Sequence, residues 1–314
     1  MTKNIIGNLQ MESKYGSYVD AMHAILTHMG WFRLDKSLLA GMTVSGFRFN
    51  VNRKLAAEST SAYNWMAENF LAGDFIGVTA SQKAGFSFQP TFPLYQQRAI
   101  IDIKTAVDRG AGAIFWHDGF AVVTGYDDRQ GQLYYCDGAG SPAKTLPYEH
   151  FGCNSTPYWY YQLLEACIPL DLTAIYKESF LQAIYKWETH DLVLPEHSYA
   201  CGQAAYDAII EALVSGNYDR EGAQATFLYY AEAKRHLAAY TDTVQKSWPH
   251  AGAAAANYSK LAQLFEEIAA AEENDVVRLA LFKEARNSEE CAIEELRQLV
   301  REAADNRFHD IGLR

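Results

Sequence analysis

Chemistry in this 314-residue sequence could come from three groupings: a cysteine at a helix start, pairs of acidic residues, and a mixed histidine and carboxylate cluster. The strongest sequence motifs are absent, because the chain contains no GxxxxGK[ST] phosphate loop and no HExxH, GxGxxG or GxSxG segment. The function therefore has to be inferred from these weaker groupings and from the elements that carry them.

The cysteine at a helix start is Cys201, and His197 precedes it by four residues. A helix N-terminus stabilises a thiolate, so a reactive cysteine can occur at such a position. No strand that carries a base follows it, and the interpretation that we favour is a structural helix start. Cys136 is predicted to be a small core residue of a strand, and Cys153 to lie in a more exposed loop.

The acidic and histidine groupings have interpretations that involve no chemistry. Asp127 and Asp128 are adjacent and are predicted to be solvated turn residues, and Glu289 with Glu290 is predicted to lie on a solvated helix surface. A cluster near the predicted domain junction matches no established metal-ligand spacing, so we predict no metal site there. Its members are His190, Asp191, Glu196 and His197.

The elements that must position these groups are mixed in the first half of the chain. Apolar spacing predicts a helix from Ser17 to Gly30, with Ser17 as its N-cap and Asp20 completing a capping box. Alternating apolar residues predict a half-buried strand from Val44 to Val51. Further helices are expected over 36–39, 61–70 and 95–109, and strands over 75–80, 112–116, 119–126, 132–136 and 158–168.

The character of the sequence changes after Pro169. Ala, Glu, Leu, Lys and Arg dominate from there, and these residues favour helices. Amphipathic helices are predicted over 172–189, 202–215, 220–247, 252–271 and 274–305, and their short connections indicate a helical bundle. The sequence thus predicts two domains, 1–170 and 171–314.

The most informative segment runs from Gly119 to Asp128 and reads GFAVVTGYDD, followed by LYYCD at 133–137. Together with the first helix, it resembles the papain-like fold of the double-glycine cysteine peptidases. It is more similar still to the N-terminal domain of the butirosin-biosynthesis acyltransferase group, as is the segment GMTVSGFRF at 41–49. The resemblance covers about residues 10–165.

The resemblance implies positions for a catalytic triad. In that group a cysteine lies at the N-terminus of the first helix, a histidine on the strand, and an aspartate on the next strand. These positions fall at or next to Ser17, on Gly119, and on Asp137. His117 precedes Gly119 by two residues and would point to the same side of a regular strand, so it could replace the missing base.

Each of these residues also has a simpler structural interpretation. Ser17 is an ordinary helix N-cap, and His117 caps the end of a strand. Asp137 begins a turn that continues through Gly138 and Gly140. These interpretations require no chemistry.

The overall charge narrows the range of partners. The net charge is −11 and the pI is about 5.3, and no cluster of basic residues is present. Neither nucleic acid nor an acidic membrane surface is therefore an expected partner. No signal peptide or transmembrane segment is predicted, and five scattered cysteines indicate reduced thiols, as in the cytoplasm.

The sequence thus predicts an α+β protein, in which a papain-like α/β domain with a central antiparallel sheet precedes an all-α helical domain. We expect it to have lost peptidase chemistry and to bind, without a cofactor, a small molecule, a peptide or an acyl group, including a carrier-linked one, between its domains. The alternatives are an acyl- or amide-transfer enzyme with a Ser17–His117–Asp137 triad, and a scaffold whose helical half forms homodimers. The aromatic residues expected to line a ligand site are Tyr18, Phe47, Trp116, Tyr126 and Tyr158.

Overall fold

The computed structural model describes residues 2–15, 17–140, 143–272 and 274–303, and within them the chain is α+β. The chain divides into two compact units. The first comprises Met1–Leu39 and Trp65–Leu170, and the second comprises Ala40–Asn64 and Asp171–Arg314. Residues 40–64 therefore belong with the C-terminal helices, although they precede most of the sheet in the sequence.

The helices and strands follow one another closely along the chain. In order they are β1 (Lys3–Ile5), α1 (Tyr18–His28), α2 (Lys36–Met42), β2 (Asn50–Asn52), α3 (Trp65–Phe75), β3 (Val78–Phe86), α4 (Phe92–Asp108), β4 (Ala113–Trp116), β5 (Phe120–Asp127), β6 (Gln132–Cys136), β7 (Lys144–Pro147), β8 (Tyr158–Cys167), α5 (Leu172–Glu188), β9 (Tyr199–Cys201), α6 (Gln203–Ser215), α7 (Arg220–Ser247), α8 (Gly252–Ala270) and α9 (Asp275–Ala303).

The first unit is built on an antiparallel sheet, to which seven strands contribute in the described part of the chain. Its order is β3-β8-β4-β5-β6-β7, and β1 pairs with the end of β5. In the register, Phe115 of β4 lies opposite both Ala121 of β5 and Tyr161 of β8, and Trp116 lies opposite Phe120. The antiparallel sheet that the sequence predicted is confirmed.

Alternation of side chains gives the sheet two different faces. Phe115 and Tyr161 project toward α4 and join a core that includes Ile103. Phe120 projects to the opposite face, where its ring lies 5.5 Å from that of Tyr18 on α1. The two helices therefore cover opposite sides of the sheet, and consecutive residues of β4 lie in different environments.

In the second unit, residues 40–64 contribute aromatic side chains to the core of the helical region. The predicted strand from Val44 to Val51 is wrong: Ser45–Phe47 forms a 3-10 turn, and only Asn50–Asn52 is a strand, paired with β9. Val44 has a φ of 65°, which breaks extended structure. The ring of Phe47 lies near Tyr240 and Tyr258, and that of Phe49 near Tyr206 and Tyr230.

Asp127 and Asp128 are not the solvated residues that the sequence predicts, although the predicted turn itself begins at Asp128. Asp127 is buried as the last residue of β5. Asp128 accepts hydrogen bonds from Lys104 at 2.5 Å, Tyr148 at 3.0 Å and Thr2 at 3.0 Å. These bonds connect the N-terminus, α4 and the sheet, and the hydrogen bond from Lys104 is the main reason that the pKa of Asp128 falls to about 2.

We predict that Gly41→Ala destabilises the protein. A Cβ atom on Gly41 would lie 2.2 Å from the buried ring of Tyr240, so the helix and the ring must move apart. The free energy of unfolding, measured with urea, should fall by about 1–3 kcal/mol. Gly7→Ala is the control, because nothing lies within 4 Å of its Cβ position. An equal effect of both substitutions would contradict the tight contact.

Asp128 should also make stability depend on pH in the acid range. Because its pKa is lowered from 3.8 to about 2, its contribution is complete above about pH 5 and is lost as the pH falls through about 4 to 2. The difference in urea midpoint between the wild type and Asp128→Asn should shrink over that window. Asp74→Asn is the control, because the Asp74 side chain is exposed.

Candidate functional site

The start of α1 is an internally satisfied polar cap. Ser17 is the N-cap residue, and its hydroxyl accepts a hydrogen bond from the amide of Asp20 at 3.2 Å. The buried carboxylate of Asp20 in turn accepts a hydrogen bond from Ser13 at 2.5 Å and pairs with Lys36 at 2.6 Å. The predicted N-cap role of Ser17 is confirmed by this geometry.

His117 lies in the tight turn between β4 and β5. Its Nδ1 atom lies 3.2 Å from Oδ1 of Asn154, and its ring stacks on Phe115 with centroids 6.0 Å apart. Because Phe115 faces α4, His117 is on that side of the sheet as well. The following residue, Asp118, has a φ of 55°, and its carboxylate accepts two hydrogen bonds from Ser155.

Asp137 follows β6 and is engaged with neighbouring groups. Its carboxylate pairs with Lys144 at 2.5 Å and accepts a hydrogen bond from the amide of Ala139 at 3.2 Å. Burial alone would raise the pKa of Asp137, but these contacts outweigh burial and lower it. The carboxylate thus has its partners within its own turn, as the simpler structural interpretation expects.

The three predicted triad residues are therefore not brought together by their described contacts. The hydroxyl of Ser17 bonds to Asp20, the imidazole of His117 to Asn154, and the carboxylate of Asp137 to Lys144. Moreover, α1 covers the face of the sheet opposite to that of His117. A serine nucleophile needs a base within hydrogen-bond reach, and this geometry does not supply His117 as that base.

An aromatic cluster lies on the α1 side of the same sheet end. The ring of Trp65, from the first turn of α3, lies 4.6 Å from Trp116, 5.5 Å from Phe120 and 6.1 Å from both Tyr158 and Tyr160. We call these five residues the aromatic cluster. Two of the predicted ligand residues, Trp116 and Tyr158, belong to it.

The aromatic cluster combines a buried polar donor with an exposed ring. The indole N–H of Trp116 is buried and has no hydrogen-bond partner among the described residues. Tyr158 is 47% exposed, and its ring lies 5.4 Å from that of the exposed Phe86, which contacts Phe88. Part of the cluster thus faces solvent, and a buried donor within it has no acceptor among the described residues.

A network of hydrogen-bonded side chains fixes the position of the aromatic cluster. Tyr18, another predicted ligand residue, donates to Oε1 of Gln162 at 2.7 Å, and Gln162 donates to Gln82 at 3.2 Å. Tyr160 donates to the same amide oxygen of Gln82 at 2.7 Å. Side-chain amides that are fixed in this way orient the rings that bond to them, so Tyr18 supports the site from α1.

The other two predicted ligand residues do not join this cluster. Phe47 belongs to the second unit, where its ring contacts Tyr240 and Tyr258. Tyr126 is buried at the far end of β5, where it donates to Asp108 at 2.9 Å. Both side chains serve packing. The sequence could not show this, because composition alone does not distinguish a core ring from a ligand ring.

The remaining groupings from the sequence are structural as well. Cys201 is buried as the last residue of β9, opposite Asn50. His190 hydrogen-bonds to the carbonyl of Leu194 at 2.7 Å, and Asp191 accepts from the amides of Asn64 and Val193. In the described part of the chain, no group of three or more histidine, cysteine or acidic side chains is arranged to hold a metal ion.

Sequence reasoning missed Trp65 as a partner of Trp116. Trp65 was expected in the middle of a helix over 61–70, whereas α3 begins at Trp65 and extends to Phe75. The signal available in the sequence was the tryptophan itself, directly after Tyr63 and Asn64. Aromatic residues that carry a polar atom are frequent where a site faces both core and solvent.

Comparison with known proteins leaves the family open. No protein-family model matches this chain, and no curated protein matches its sequence. Within the described residues, no helix has both the length and the apolar character needed to cross a membrane. The inference of function therefore depends on the geometry of the site.

We predict that Ser17→Ala acts on stability alone. The variant loses the acceptor for the amide of Asp20, which should lower the free energy of unfolding by about 1 kcal/mol. Asp171→Ala is the matched control, because Asp171 caps α5 in the same way and accepts from the amide of Ala174. A loss of thioester or amide turnover in Ser17→Ala would instead identify Ser17 as a nucleophile.

Proposed function

We propose that this protein is a papain-like binding protein that has lost peptidase chemistry and that holds a small molecule, a peptide or an acyl group at the aromatic cluster. The observation that carries the proposal is the buried indole N–H of Trp116, which has no partner within the described residues. A buried donor without an acceptor costs about 1–3 kcal/mol, and a ligand acceptor would remove that cost.

The chemistry of the cluster favours ligands that join an acceptor oxygen to an apolar body. Acyl groups and peptides both carry a carbonyl oxygen, which can accept from Trp116. The partly exposed rings of Tyr158 and Phe86 offer apolar area for the rest of such a ligand. Ligand sites commonly combine aromatic walls with a few placed polar groups, and this arrangement fits that description.

The contacts around Ser17 weigh against catalysis. In the acyl-transfer alternative, the Ser17 hydroxyl must leave its bond with Asp20 and meet a base. His117, however, is oriented by Asn154 on the opposite face of the sheet. A binding protein needs neither rearrangement, so binding without turnover is the simpler function for this geometry.

The proposal predicts saturable binding of acyl compounds without reaction. N-acetylcysteamine thioesters of acetate and octanoate, and a blocked tripeptide, would be titrated by calorimetry while free thiol is measured. Trp116→Phe should weaken binding roughly fivefold, since it removes one hydrogen bond worth about 1 kcal/mol. Trp187→Phe is the control, because that tryptophan is buried in the second unit.

Two results would contradict the proposal. If none of the three probes binds to the wild type, the aromatic cluster is a packing feature. If the wild type releases thiol and Ser17→Ala does not, the acyl-transfer alternative is correct and the protein is an enzyme.

A further inference from the structure

The two edges of the antiparallel sheet in the first unit are protected to different degrees. In the described part of the chain, one edge is β7, which has only four residues and ends at Pro147. The other edge is β3, which has nine residues, Val78–Phe86, and contains no proline. Short length and proline protect an edge strand from pairing with a further strand. Of these two edges, β3 is therefore the one suited to accept an additional strand.

The register shows which backbone groups of β3 point away from the sheet. The amide of Ser87 donates to the carbonyl of Pro157, which directly precedes β8, at 2.8 Å. From Ala80 onward the register with β8 is unbroken, and in an antiparallel pair the residues that bond to the neighbour alternate with those that point away. Counting back from Ser87 in steps of two, the backbone amides and carbonyls of Ala80, Gln82 and Ala84 therefore point away from β8.

These outward backbone groups have no hydrogen-bond partner within the described residues. Gln82 and Ala84 are half-buried and Ser81 is exposed, whereas all eight residues of β5, in the middle of the sheet, are buried. Each outward residue offers one donor and one acceptor, and such residues recur at every second position. An antiparallel strand matches this pattern. We call the segment Ala80–Phe86 the open edge.

The open edge leads directly to the aromatic cluster. Its last residue, Phe86, is 42% exposed, and its ring lies 5.4 Å from that of Tyr158, its partner in the register. On the same face of β3, the side chain of Gln82 donates to the carbonyl of Met66 at 2.5 Å and accepts from Tyr160 at 2.7 Å. Opposite residues of an antiparallel pair project their side chains to the same face. A residue paired with Phe86 would therefore place its side chain beside these rings.

We infer that a peptide in extended conformation binds to the open edge as an additional antiparallel strand, with an apolar side chain opposite Phe86. The inference rests on the proposed function and selects the peptide among the ligand classes named there. In this mode of recognition, main-chain hydrogen bonds supply affinity and alternate side chains supply specificity. Both requirements are met here, by the outward groups of Gln82 and Ala84 and by the exposed rings of Phe86 and Tyr158.

A second copy of the chain is a poorer occupant of the open edge. Each copy carries a net charge of −11, so two copies repel one another. The large apolar residues that β3 of a second copy would offer are Val78 and Phe86, and Val78 is buried against its own unit. A separate peptide has neither restriction.

Amide hydrogen exchange of the full chain, measured by NMR, tests the inference. The probe is an acetylated, amidated heptapeptide of sequence FTVTVTK, whose phenylalanine would pair with Phe86. At saturating peptide, exchange of the Gln82 and Ala84 amides should slow about tenfold or more, because they gain carbonyl acceptors. The amides of Lys83 and Gly85 are the matched controls, since they bond to β8 and should exchange slowly with or without peptide.

The indole N–H signal of Trp116 in the same spectra separates this inference from the proposed function. A shift of that signal without protection of Gln82 and Ala84 would support ligand binding at the aromatic cluster and overturn strand addition. Protection without the shift would support strand addition and count against Trp116 as the donor to the ligand. If neither signal changes, the inference is overturned. Protection that appears without peptide as the protein concentration rises would make a second copy the occupant and also overturn it.

Two methylated forms of the peptide make the test specific without altering the protein. N-methylation of both valine amides removes the two N–H groups that face Ala84 and Gln82, and should weaken binding about thirtyfold. N-methylation of the last two threonine amides modifies groups that point to solvent, and should leave the affinity within about threefold of the parent peptide. Equal affinities of the two methylated peptides would contradict binding as a strand.

Discussion

The alternation of side chains along β4 is the constraint on which the first unit depends. Trp116 is the last residue of β4, and the amide of the next residue, His117, still bonds to the carbonyl of Gly119 at 2.8 Å. The backbone there continues the alternation of the strand, which directs adjacent side chains to opposite faces. The tryptophan therefore enters the aromatic cluster beneath α1, while the histidine stacks on Phe115 beneath α4. The aromatic cluster and the imidazole that could have acted as a base therefore lie on opposite faces of the sheet, although their residues are neighbours in the sequence.

The start of α1 shows how a position suited to catalysis can be used for structure. The partial positive charge of a helix N-terminus favours an anion there. In this chain the anion is the buried carboxylate of Asp20, which Lys36 and Ser13 also contact, and Ser17 caps the helix. The Ser17 hydroxyl and the Asp20 carboxylate at this helix end thus have partners within the protein, which accords with our proposal of binding rather than turnover.

Much of the fold could be predicted because local patterns determine it. The strand Gln132–Cys136 and the helix Arg220–Ser247 have the bounds expected from alternation and from helical spacing, and Ser17 is the N-cap that its side chain favours. Residues 44–51 were mispredicted because Phe47 and Phe49 alternate, as in a strand, but both rings fill the core of the helical unit. Alternation reports burial on one side, not the backbone conformation that achieves it.

The candidate sites were less predictable because they depend on contacts between distant residues. Trp65 and Trp116 meet through the packing of α3 on the sheet, and no local pattern in either segment indicates it. Lys234 and Glu289 both lie within long helices of mostly charged surface, where a charged residue is normally solvated. Only the tertiary structure, in which α7 and α9 both pack against α8, shows that these two charges lie in the core, so the prediction that Glu289 lies on a solvated helix surface is wrong.

The discontinuous composition of the second unit has a consequence for work with fragments. A polypeptide that ends near residue 170 would include all of the sheet, and would also include residues 40–64 without the helices that bury them. The rings of Phe47 and Phe49, together with Val51, would then be left as an apolar loop in water. Such a fragment should associate with itself or with chaperones. The two units therefore cannot be separated by cutting the chain at one position.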